Sequence, residues 1–511
     1  MNRTTLSLIA GTTALAAVTA VAALATPSAS GAAAPSAAAE LPVQRTGLLC
    51  PAPSVSDIAD TTYTSFTPVT QGAPNSGKAQ LQPAPAGSPD GTGGTSDTQQ
   101  GKSKDKGKDK GGKKTADQPV LTPKAPGTPV TGDTSGADAP ALIGTADGRF
   151  APGWTVQETT RIAVGTGRGL QGVTCTPADT EFWFPGASTA AGRTDYVHLT
   201  NPDDSAAVVD VEMYGKNGAI KSPLGENLRV EPHTSEPVLL STLTGERQED
   251  LTVHVSVRSG RVGATVQALD DASGGDWLAA AADPAGSLVL PGIPKDATDV
   301  RLIAFTPGDA DADLKIRLAS PDGLITPAGN EALHVKSGMT TSADLGPLTR
   351  GEAGSLVLTP SDRSVPVVAA LRVVRGKGAN QETAFIPATA PVGARATAAD
   401  NSAKGATLAL TAPTATAKVK VTASAGSEGG TAVSKTYTIR SGTTQDVDAP
   451  VPSGLKGTYA LTIEPLSDTP VYASRTLTST DPSGFTVQTL PSDRGLVSVP
   501  EADEDLSILQ K

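Results

Sequence analysis

The histidines of this sequence are the residues best suited to metal binding or proton transfer, but their spacing favours neither role. His198, His233, His254 and His334 are separated by 35, 21 and 80 residues. None of them belongs to an H-x-x-x-H or H-E-x-x-H pattern, which would place two imidazoles together for zinc. His254 alternates with apolar residues in LTVHVSV, so we expect it on the solvent face of a strand. The sequence therefore predicts no metal ligands and no cofactor.

Three alternating carboxylates could in principle converge on a hard cation. Asp309, Asp311 and Asp313 in GDADADLK resemble the opening of a calcium-binding loop. Leu314 stands where an EF-hand requires Gly, and no Glu closes the loop. The pattern favours a solvated turn, and calcium binding at this turn stays open.

Motifs for covalent or phosphate chemistry are missing from the sequence. It contains no G-x-S-x-G elbow and no Gly-rich loop placed between a strand and a helix. With 52 acidic residues, a pair of catalytic carboxylates stays open, because only their spatial separation would decide the case. We nominate no catalytic residue and expect a protein that is not an enzyme, with a carboxylate-based hydrolase as the third hypothesis.

Aromatic residues make up 3% of the chain, which argues against a glycan-binding surface built from stacked rings. Trp154, Trp183 and Trp277 are too dispersed to form such a platform. Trp183 lies in FWFPG, where a strand pattern predicts a core position.

The N-terminus predicts export. Arg3 provides a positive charge, and the uncharged stretch 6–25 ends in Ala23-Leu24-Ala25, a small-x-small site typical of a signal peptide. We expect cleavage after Ala25. Retention as a membrane anchor stays open, since twenty uncharged residues can just span a bilayer. In both cases the protein is secreted or extracytoplasmic, with membrane contact only through an uncleaved N-terminal segment.

The two cysteines of an exported chain are most simply a disulfide, Cys50 to Cys175. Such a bond would close a loop of 125 residues and contribute on the order of 5 kcal/mol through chain entropy, as an upper bound. A reactive free pair is the alternative, although the sequence has no C-x-x-C spacing.

A basic segment interrupts an acidic chain. The run GKSKDKGKDKGGKK at 101–114 holds seven Lys and two Asp (net +5), which leaves 34 basic and 50 acidic residues elsewhere (net −16). Gly, Pro, Ser, Thr, Asp and Lys dominate 71–140, so we expect a disordered linker there. Its simplest role is that of a solvated spacer, and attachment to an anionic cell-wall polymer is the alternative. The acidic body argues against nucleic acid as a partner.

Self-comparison reveals repeats with a period of 105 residues. The period links the first leucine of LTVHV, LVLTP and LTIEP, namely Leu251, Leu356 and Leu461. It also links three alternating apolar strands, around Val211, Ile316 and Val421. Period-2 alternation and units of about 100 residues are typical of immunoglobulin-like sandwiches. The fold class is therefore expected to be all-β, with tandem immunoglobulin-like antiparallel β-sandwich repeats and a long disordered insertion near the N-terminus.

Partial copies flank the full repeats. The stretch 160–173 precedes FWFPG much as 474–487 precedes LVSVP, which suggests a partial unit ahead of the first full repeat and an unfinished copy after the last. The expected organisation begins with a signal peptide or anchor at 1–25, an Ala/Ser/Pro-rich spacer at 26–40, N-terminal strands at 41–70 and the linker at 71–140. A partial unit follows at 141–181, which the disulfide joins to 41–70. Sandwich repeats at 182–286, 287–392 and 393–492 come next, and a terminal strand with an acidic tail ends the chain at 493–511.

Three motifs carry a resemblance to a known family. LLCPAP at 48–53, CTPADTEFWFPG at 175–186 and PVYASRT at 470–476 resemble an exported actinobacterial family, domain of unknown function 5719. The resemblance implies export and a β-rich body, and it transfers no catalytic residue.

Composition, repeats and resemblance together predict a non-catalytic scaffold or interaction module, secreted or at the cell envelope. Its partner would be an unknown envelope protein or an anionic cell-wall polymer. The alternative is a glycan-binding or accessory module of a cell-envelope enzyme system.

Overall fold

The structure, a computed structural model, describes residues 39–87 and 118–499. Contacts divide the chain into a large unit, Pro42–Leu496, and a small unit that combines Met1–Leu41 with Val497–Lys511. In the small unit, the described residues belong to strand β1 (Ala39–Pro42) and to the last strand, β37 (Leu496–Val499), which pair as a two-stranded sheet. The predicted signal peptide, its cleavage site and the Lys-rich run lie outside the described residues.

The large unit consists of four antiparallel β-sandwiches, which we number along the chain. The first sandwich pairs the sheet β2-β6-β4 with the sheet β5-β3-β7-β8. Its strands are β2 (Arg45–Cys50), β3 (Asp60–Phe66), β4 (Ala79–Ala84), β5 (Val130–Ser135), β6 (Ala141–Asp147), β7 (Thr155–Ile162) and β8 (Gly169–Thr174).

The second sandwich pairs the sheet β12-β11-β15-β9, with β13 also on β11, with the sheet β14-β10-β16-β17. Its strands and one short helix are β9 (Glu181–Ala187), β10 (Arg193–Thr200), β11 (Ala207–Gly215), β12 (Gly218–Ile220), β13 (Leu228–Val230), β14 (Ser235–Leu239), α1 (Leu240–Leu243), β15 (Leu251–Ser259), β16 (Gly263–Asp270) and β17 (Gly274–Leu278).

The third sandwich pairs the sheet β18-β24-β20-β21, with β22 also on β20, with the sheet β23-β19-β25-β26. Its strands are β18 (Leu288–Ile293), β19 (Ala297–Phe305), β20 (Ala312–Ala319), β21 (Leu324–Ile325), β22 (Ala332–Val335), β23 (Thr340–Asp344), β24 (Gly354–Pro360), β25 (Val368–Arg375) and β26 (Glu382–Pro387).

The fourth sandwich pairs the sheet β27-β34-β29-β31 with the sheet β32-β28-β35-β36, and β30 pairs separately with β33. Its strands are β27 (Ala396–Asn401), β28 (Ala406–Ala412), β29 (Ala417–Ala423), β30 (Gly429–Thr431), β31 (Val433–Ile439), β32 (Thr443–Val447), β33 (Ser453–Lys456), β34 (Tyr459–Pro465), β35 (Tyr472–Thr480) and β36 (Ser483–Thr489). Three 3₁₀ helices, Gly148–Phe150, Pro223–Gly225 and Gly378–Asn380, complete the secondary structure of the described residues.

Period-2 alternation builds each core, as predicted. In β20, the side chains of Leu314, Ile316 and Leu318 point into the third sandwich while Asp313, Lys315 and Arg317 are exposed. The same pattern in the other sandwiches buries one face of each sheet against the opposing sheet. The prediction of an all-β fold of tandem sandwiches is confirmed.

The predicted linker at 71–140 is wrong at both ends. Strands β4 and β5 lie within it, and Leu121 pairs with Leu81 of β4 and is buried in the core of the first sandwich. Few large apolar residues are needed here, because a short strand that is buried on one face requires only alternate positions such as Ala79 and Leu81. The central part of the linker, 88–117, lies outside the described residues.

The predicted partial unit at 141–181 is instead one part of a seven-stranded sandwich. It is completed by β2 and β3, as expected, and by β4 and β5, which the sequence reading missed. Cys50 and Cys175 form the predicted disulfide, which joins the two sheets of this sandwich. The LVSVP stretch does not begin another sandwich, since it forms β37 and pairs with β1.

The four sandwiches close into a ring. In each sandwich we call the first strand (β2, β9, β18 or β27) the leading strand and its sheet the leading sheet. The other sheet is the trailing sheet. The leading strand β9 packs on β25, β18 packs on β28 and β35, and β27 packs on β3 and β7, so the fourth sandwich returns to the first. The first sandwich meets the second where Leu49 packs against Gly263.

One position of the repeat faces the next sandwich in three successive copies, with different chemistry each time. Asp250 accepts a hydrogen bond from Arg301 Nε at 2.9 Å, and Ser355 Oγ lies 2.7 Å from Thr411 Oγ1. Ala460, again 105 residues later, packs against Phe66. The last of these contacts closes the ring between the fourth and first sandwiches.

A β-bulge in the leading strands β9, β18 and β27 lies at these interfaces. The extra residue has a left-handed backbone at Gly186 (φ 113°), Gly292 (φ 81°) and Asp400 (φ 64°). Glycine is expected at such a position, and an Asp costs more. Asp400 Oδ2 accepts a hydrogen bond of 2.6 Å from Thr159 Oγ1 in the first sandwich, so its side chain contributes directly to ring closure.

Among the helices that the structure describes, none has the length and apolarity needed to cross a membrane.

Candidate ligand cavity

The innermost strand of each sandwich lies on the axis of the ring. Strands β8, β17, β26 and β36 are the last strands of their trailing sheets, and each contacts two of the others in a closed cycle. Small residues permit this approach: a Cβ on Gly172 would lie 2.6 Å from Gln488 Nε2 and 2.7 Å from Thr486 Cγ2. The axis is therefore packed along the middle of these strands.

A buried carboxyl group marks the packed part of the axis. Asp276 Oδ1 accepts hydrogen bonds from Gly172 N and Thr486 Oγ1, both at 3.0 Å, and so joins three sandwiches. Asp276 is fully buried, and burial raises the pKa of its carboxyl well above the ordinary value. Its Oδ2 accepts no hydrogen bond from the described residues. The neutral form of Asp276 therefore suits this position.

A cavity of about 480 Å³ opens at one end of the axis, above this packed layer. Every sandwich contributes a turn that precedes its innermost strand. The lining residues are Ala163, Arg168, Gly169 and Leu170 from the first sandwich, Ser273 and Gly275 from the second, Ala379, Asn380, Gln381, Glu382 and Thr383 from the third, and Asp481, Pro482, Ser483, Gly484 and Phe485 from the fourth.

Arg168 holds three of these sandwiches together at the wall of the cavity. Its Nη2 donates hydrogen bonds to the carbonyl oxygens of Ala272 at 2.7 Å and Ala379 at 3.1 Å. It also reaches the Gln381 carbonyl at 3.4 Å, while Nη1 reaches the Asp271 carbonyl at 3.3 Å. Most donors of this guanidinium are therefore used within the protein, and Arg168 positions the turns.

Glu382 and Asp481 supply the carboxylates of the cavity. Ser483 Oγ donates a hydrogen bond to Glu382 Oε1, and Arg375 Nη2 lies 3.8 Å from Oε2. The guanidinium of Arg375 also stacks over the Phe485 ring, 4.5 Å from its centroid. Glu382 is thus held as a hydrogen-bond acceptor by a hydroxyl and a cation, while Asp481 lies on the exposed rim.

The cavity combines acceptors, donors and an apolar wall in one concave site. Carboxylates come from Glu382 and Asp481, and amides come from Asn380 and Gln381. Several convergent polar groups in a cleft of this size are typical of a small-molecule site. The arrangement can bind a polar ligand by hydrogen bonds without any covalent step.

The histidines are dispersed through the structure, as their spacing predicted, and two of them, His198 and His254, are largely shielded from solvent. His198 is buried at the junction of the first and second sandwiches, and burial lowers its pKa to about 4. His254 does lie on the outer face of its sheet, yet that face is covered: its ring stacks on Trp183 at 3.8 Å. The expectation of a solvent-facing His254 is therefore wrong, because Trp183, Glu181 and Glu212 of the same sheet surround the imidazole on that face.

Trp183 is buried, as predicted, although in a different place. It packs with Phe305 and Val368 of the third sandwich and not inside its own sandwich. Period-2 alternation does not distinguish burial inside a sandwich from burial between two sandwiches, because both faces of β9 are covered. Trp154 donates a hydrogen bond to Ser65 Oγ at 2.8 Å, and Trp277 contacts His198 edge-on, with centroids 5.1 Å apart.

The carboxylates of GDADADLK pair with a histidine. His334 Nδ1 lies 2.8 Å from Asp313 Oδ1, and Nε2 lies 3.5 Å from Asp311 Oδ2. Among the described residues, the closest cluster of metal-type ligands is instead Cys50, Glu158 and Cys175, whose sulfurs are committed to the disulfide. Calcium binding at the Asp309 turn stays a prediction.

Sequence reasoning missed the cavity because its residues lie in turns. The internal match between 160–173 and 474–487 was the available signal, since both stretches contain a turn that lines the cavity. That match did not show that the two turns would meet.

The fold and the cavity define an all-β ring of four sandwiches with a polar cavity on its axis. Over residues 130–450 the chain matches the family described as "Family of unknown function (DUF5719)", and it belongs to that family. No curated protein and no solved structure matches the chain.

Proposed function

We propose that the protein is a non-catalytic scaffold that acts outside the cytoplasmic membrane and binds its partner through the axial cavity. The observation that carries the proposal is the meeting of turns from all four sandwiches at one cavity. Each turn is fixed by its own sandwich and by its neighbours, so the site is pre-organised, which lowers the cost of binding.

The second contact proposed for this scaffold is electrostatic. The Lys-rich run at 101–114 has a net charge of +5 and interrupts a chain whose other residues total −16. A basic segment of this kind suits an anionic cell-wall polymer, while the acidic sandwiches would stay away from it. Attachment and partner recognition would then use separate parts of the chain.

Crosslinking in envelope fractions followed by co-purification tests the proposal. We expect a partner to be captured by the full chain and lost in Ala379→Trp, which fills the cavity. Asp309→Asn, on an exposed turn of the third sandwich, is the matched control and should leave capture intact. Equal capture by all three proteins would contradict binding through the cavity.

Two further experiments test the compartment and the tether. Sequencing the N-terminus of protein from culture medium and envelope should show a start at Thr26. Replacing the seven lysines of the 101–114 run by Gln should release the protein from anionic polymer at lower salt than wild type. Unchanged salt dependence would remove the tethering role.

A further inference from the structure

We propose that the axial cavity binds the end of a glycan chain and accommodates its last one or two sugar residues, which are neutral. This inference rests on the proposed function, because it names the ligand of the same cavity. Three observations support it: the chemistry of the lining groups, the shape of the cavity, and the charged side chains that line it.

The lining groups suit vicinal hydroxyls. The carboxylates of Glu382 and Asp481 can accept hydrogen bonds from adjacent hydroxyl groups, and the amides of Asn380 and Gln381 both donate and accept. Pro482, which is half-buried, adds an apolar surface to the same wall, with the buried side chains of Leu170 and Phe485 behind it, and this surface suits the C–H face of a sugar ring. A neutral polyhydroxylated ligand uses both kinds of surface.

The shape of the site favours a chain end. The cavity volume of about 480 Å³ lies in the usual range for small-molecule pockets, about 300–1,000 Å³. Directly beyond Gly275 and Phe485, the axis is filled by Asp276 and Thr486, which are hydrogen-bonded to each other. A ligand can therefore enter from the open mouth but cannot thread through the ring.

The charges favour a neutral sugar over an acidic one. The two hydrogens on Arg168 Nη2 and one on Nη1 are already directed at main-chain carbonyls, so fewer than half of the five guanidinium donors remain for a ligand. Glu382 and Asp481 would repel a uronic acid or a phosphate. Glu382 is also held by Ser483 and Arg375 as an acceptor, which suits binding better than proton donation to a glycosidic oxygen.

Ligand-observed NMR titration of the full mature chain with free oligosaccharides tests this inference. The probes are neutral hexose and N-acetylhexosamine disaccharides, with a uronic acid disaccharide as the charged comparison. We expect binding of at least one neutral probe, about tenfold weaker binding in Glu382→Gln, and loss of binding in Ala379→Trp. Asp309→Asn should bind like wild type, and thermal melting of each variant verifies folding.

Two outcomes would overturn the inference: no neutral saccharide binds, or binding is the same in wild type, Glu382→Gln and Ala379→Trp. If the crosslinked partner is still lost in Ala379→Trp while no saccharide binds, the proposed function holds and the glycan ligand is wrong. If saccharides bind and new reducing ends appear with time, the ligand is right and the non-catalytic role is wrong.

Discussion

The first and third sandwiches reach stability by different routes. The core of the third buries 26 residues in one apolar cluster, two of which, Phe485 and Val487, come from the fourth sandwich. The core of the first contains twelve, including the two disulfide cysteines and Tyr63. The first sandwich thus combines a small apolar core with a disulfide bond, whereas the third has a larger apolar core.

The first sandwich also buries an ionisable group beside its disulfide. Glu158 is completely buried, and neither of its carboxylate oxygens accepts a hydrogen bond from the described residues. Burial raises the pKa of Glu158 well above its ordinary value. The two sandwiches share one order of seven strands, to which the third adds β21 and β22. The comparison teaches that this shared order tolerates a polar interior where a cross-link constrains the unfolded chain.

The largest expected effect is loss of the disulfide. In the Cys50→Ala/Cys175→Ala double variant, the first sandwich should lose up to about 5 kcal/mol, because its small core cannot compensate. Limited proteolysis with mass mapping should show new cleavage within 42–175, while the third sandwich stays protected. Cleavage spread evenly over the four sandwiches would contradict the difference between the two cores.

Acid should weaken the junction of the first and second sandwiches at His198. Its pKa of about 4 in the folded protein lies below the ordinary value of 6.5, so the unfolded chain binds a proton more readily. The stabilisation is present above pH 6.5 and is lost as pH falls to about 4, by at most about 3 kcal/mol. Melting curves at both pH values should show a smaller loss in His198→Gln than in wild type. Identical losses in the two proteins would count against this role.

Neutralising Glu158 should stabilise the first sandwich at neutral and alkaline pH. Its raised pKa means that folding becomes less favourable as pH rises above the unfolded value near 4.5. Glu158→Gln removes that dependence, and we expect a gain of about 1–3 kcal/mol that grows with pH. Denaturation at pH 5 and pH 8 measures it. A gain that is the same at both pH values would point to packing and not to ionisation.

The smallest expected effect concerns the contact between the second and third sandwiches. Asp250→Asn weakens the ion pair with Arg301, whose Nη2 lies 2.8 Å from Asp250 Oδ2, and should cost about 1 kcal/mol. Raising the salt concentration should reduce the difference from wild type. Ser355→Ala, at the equivalent position of the next repeat, is the matched control and should show no salt dependence.

Much of the fold follows from local pattern. The alternation around Ile316 and the period linking Leu251, Leu356 and Leu461 predicted the sandwiches, because one buried face per strand imposes that pattern. Strand β4 was missed, since Ala79 and Leu81 are a weak signal among Gln and Pro. The disulfide was predicted because the chain has only two cysteines.

Ring closure and the cavity could not be predicted in the same way. The closing contact joins Phe66 to Ala399 and Ala460, which are distant in sequence, and alanines carry no pairing signal. Asp400 stands where the other copies have a Pro-Gly bulge, so the motif that marks this position is absent from the closing copy. The cavity depends on turns that meet only when the ring is closed.

The position shared by Asp250, Ser355 and Ala460 also distinguishes the three interfaces between successive sandwiches. Repeats with identical head-to-tail surfaces could add copies from other chains and grow into an open fibre. Here an ionic, a hydroxyl and an apolar contact occupy equivalent interfaces, so each sandwich fits the neighbour that follows it in the same chain. Chain-specific interfaces of this kind favour closure of one chain into a ring over the addition of sandwiches from other chains.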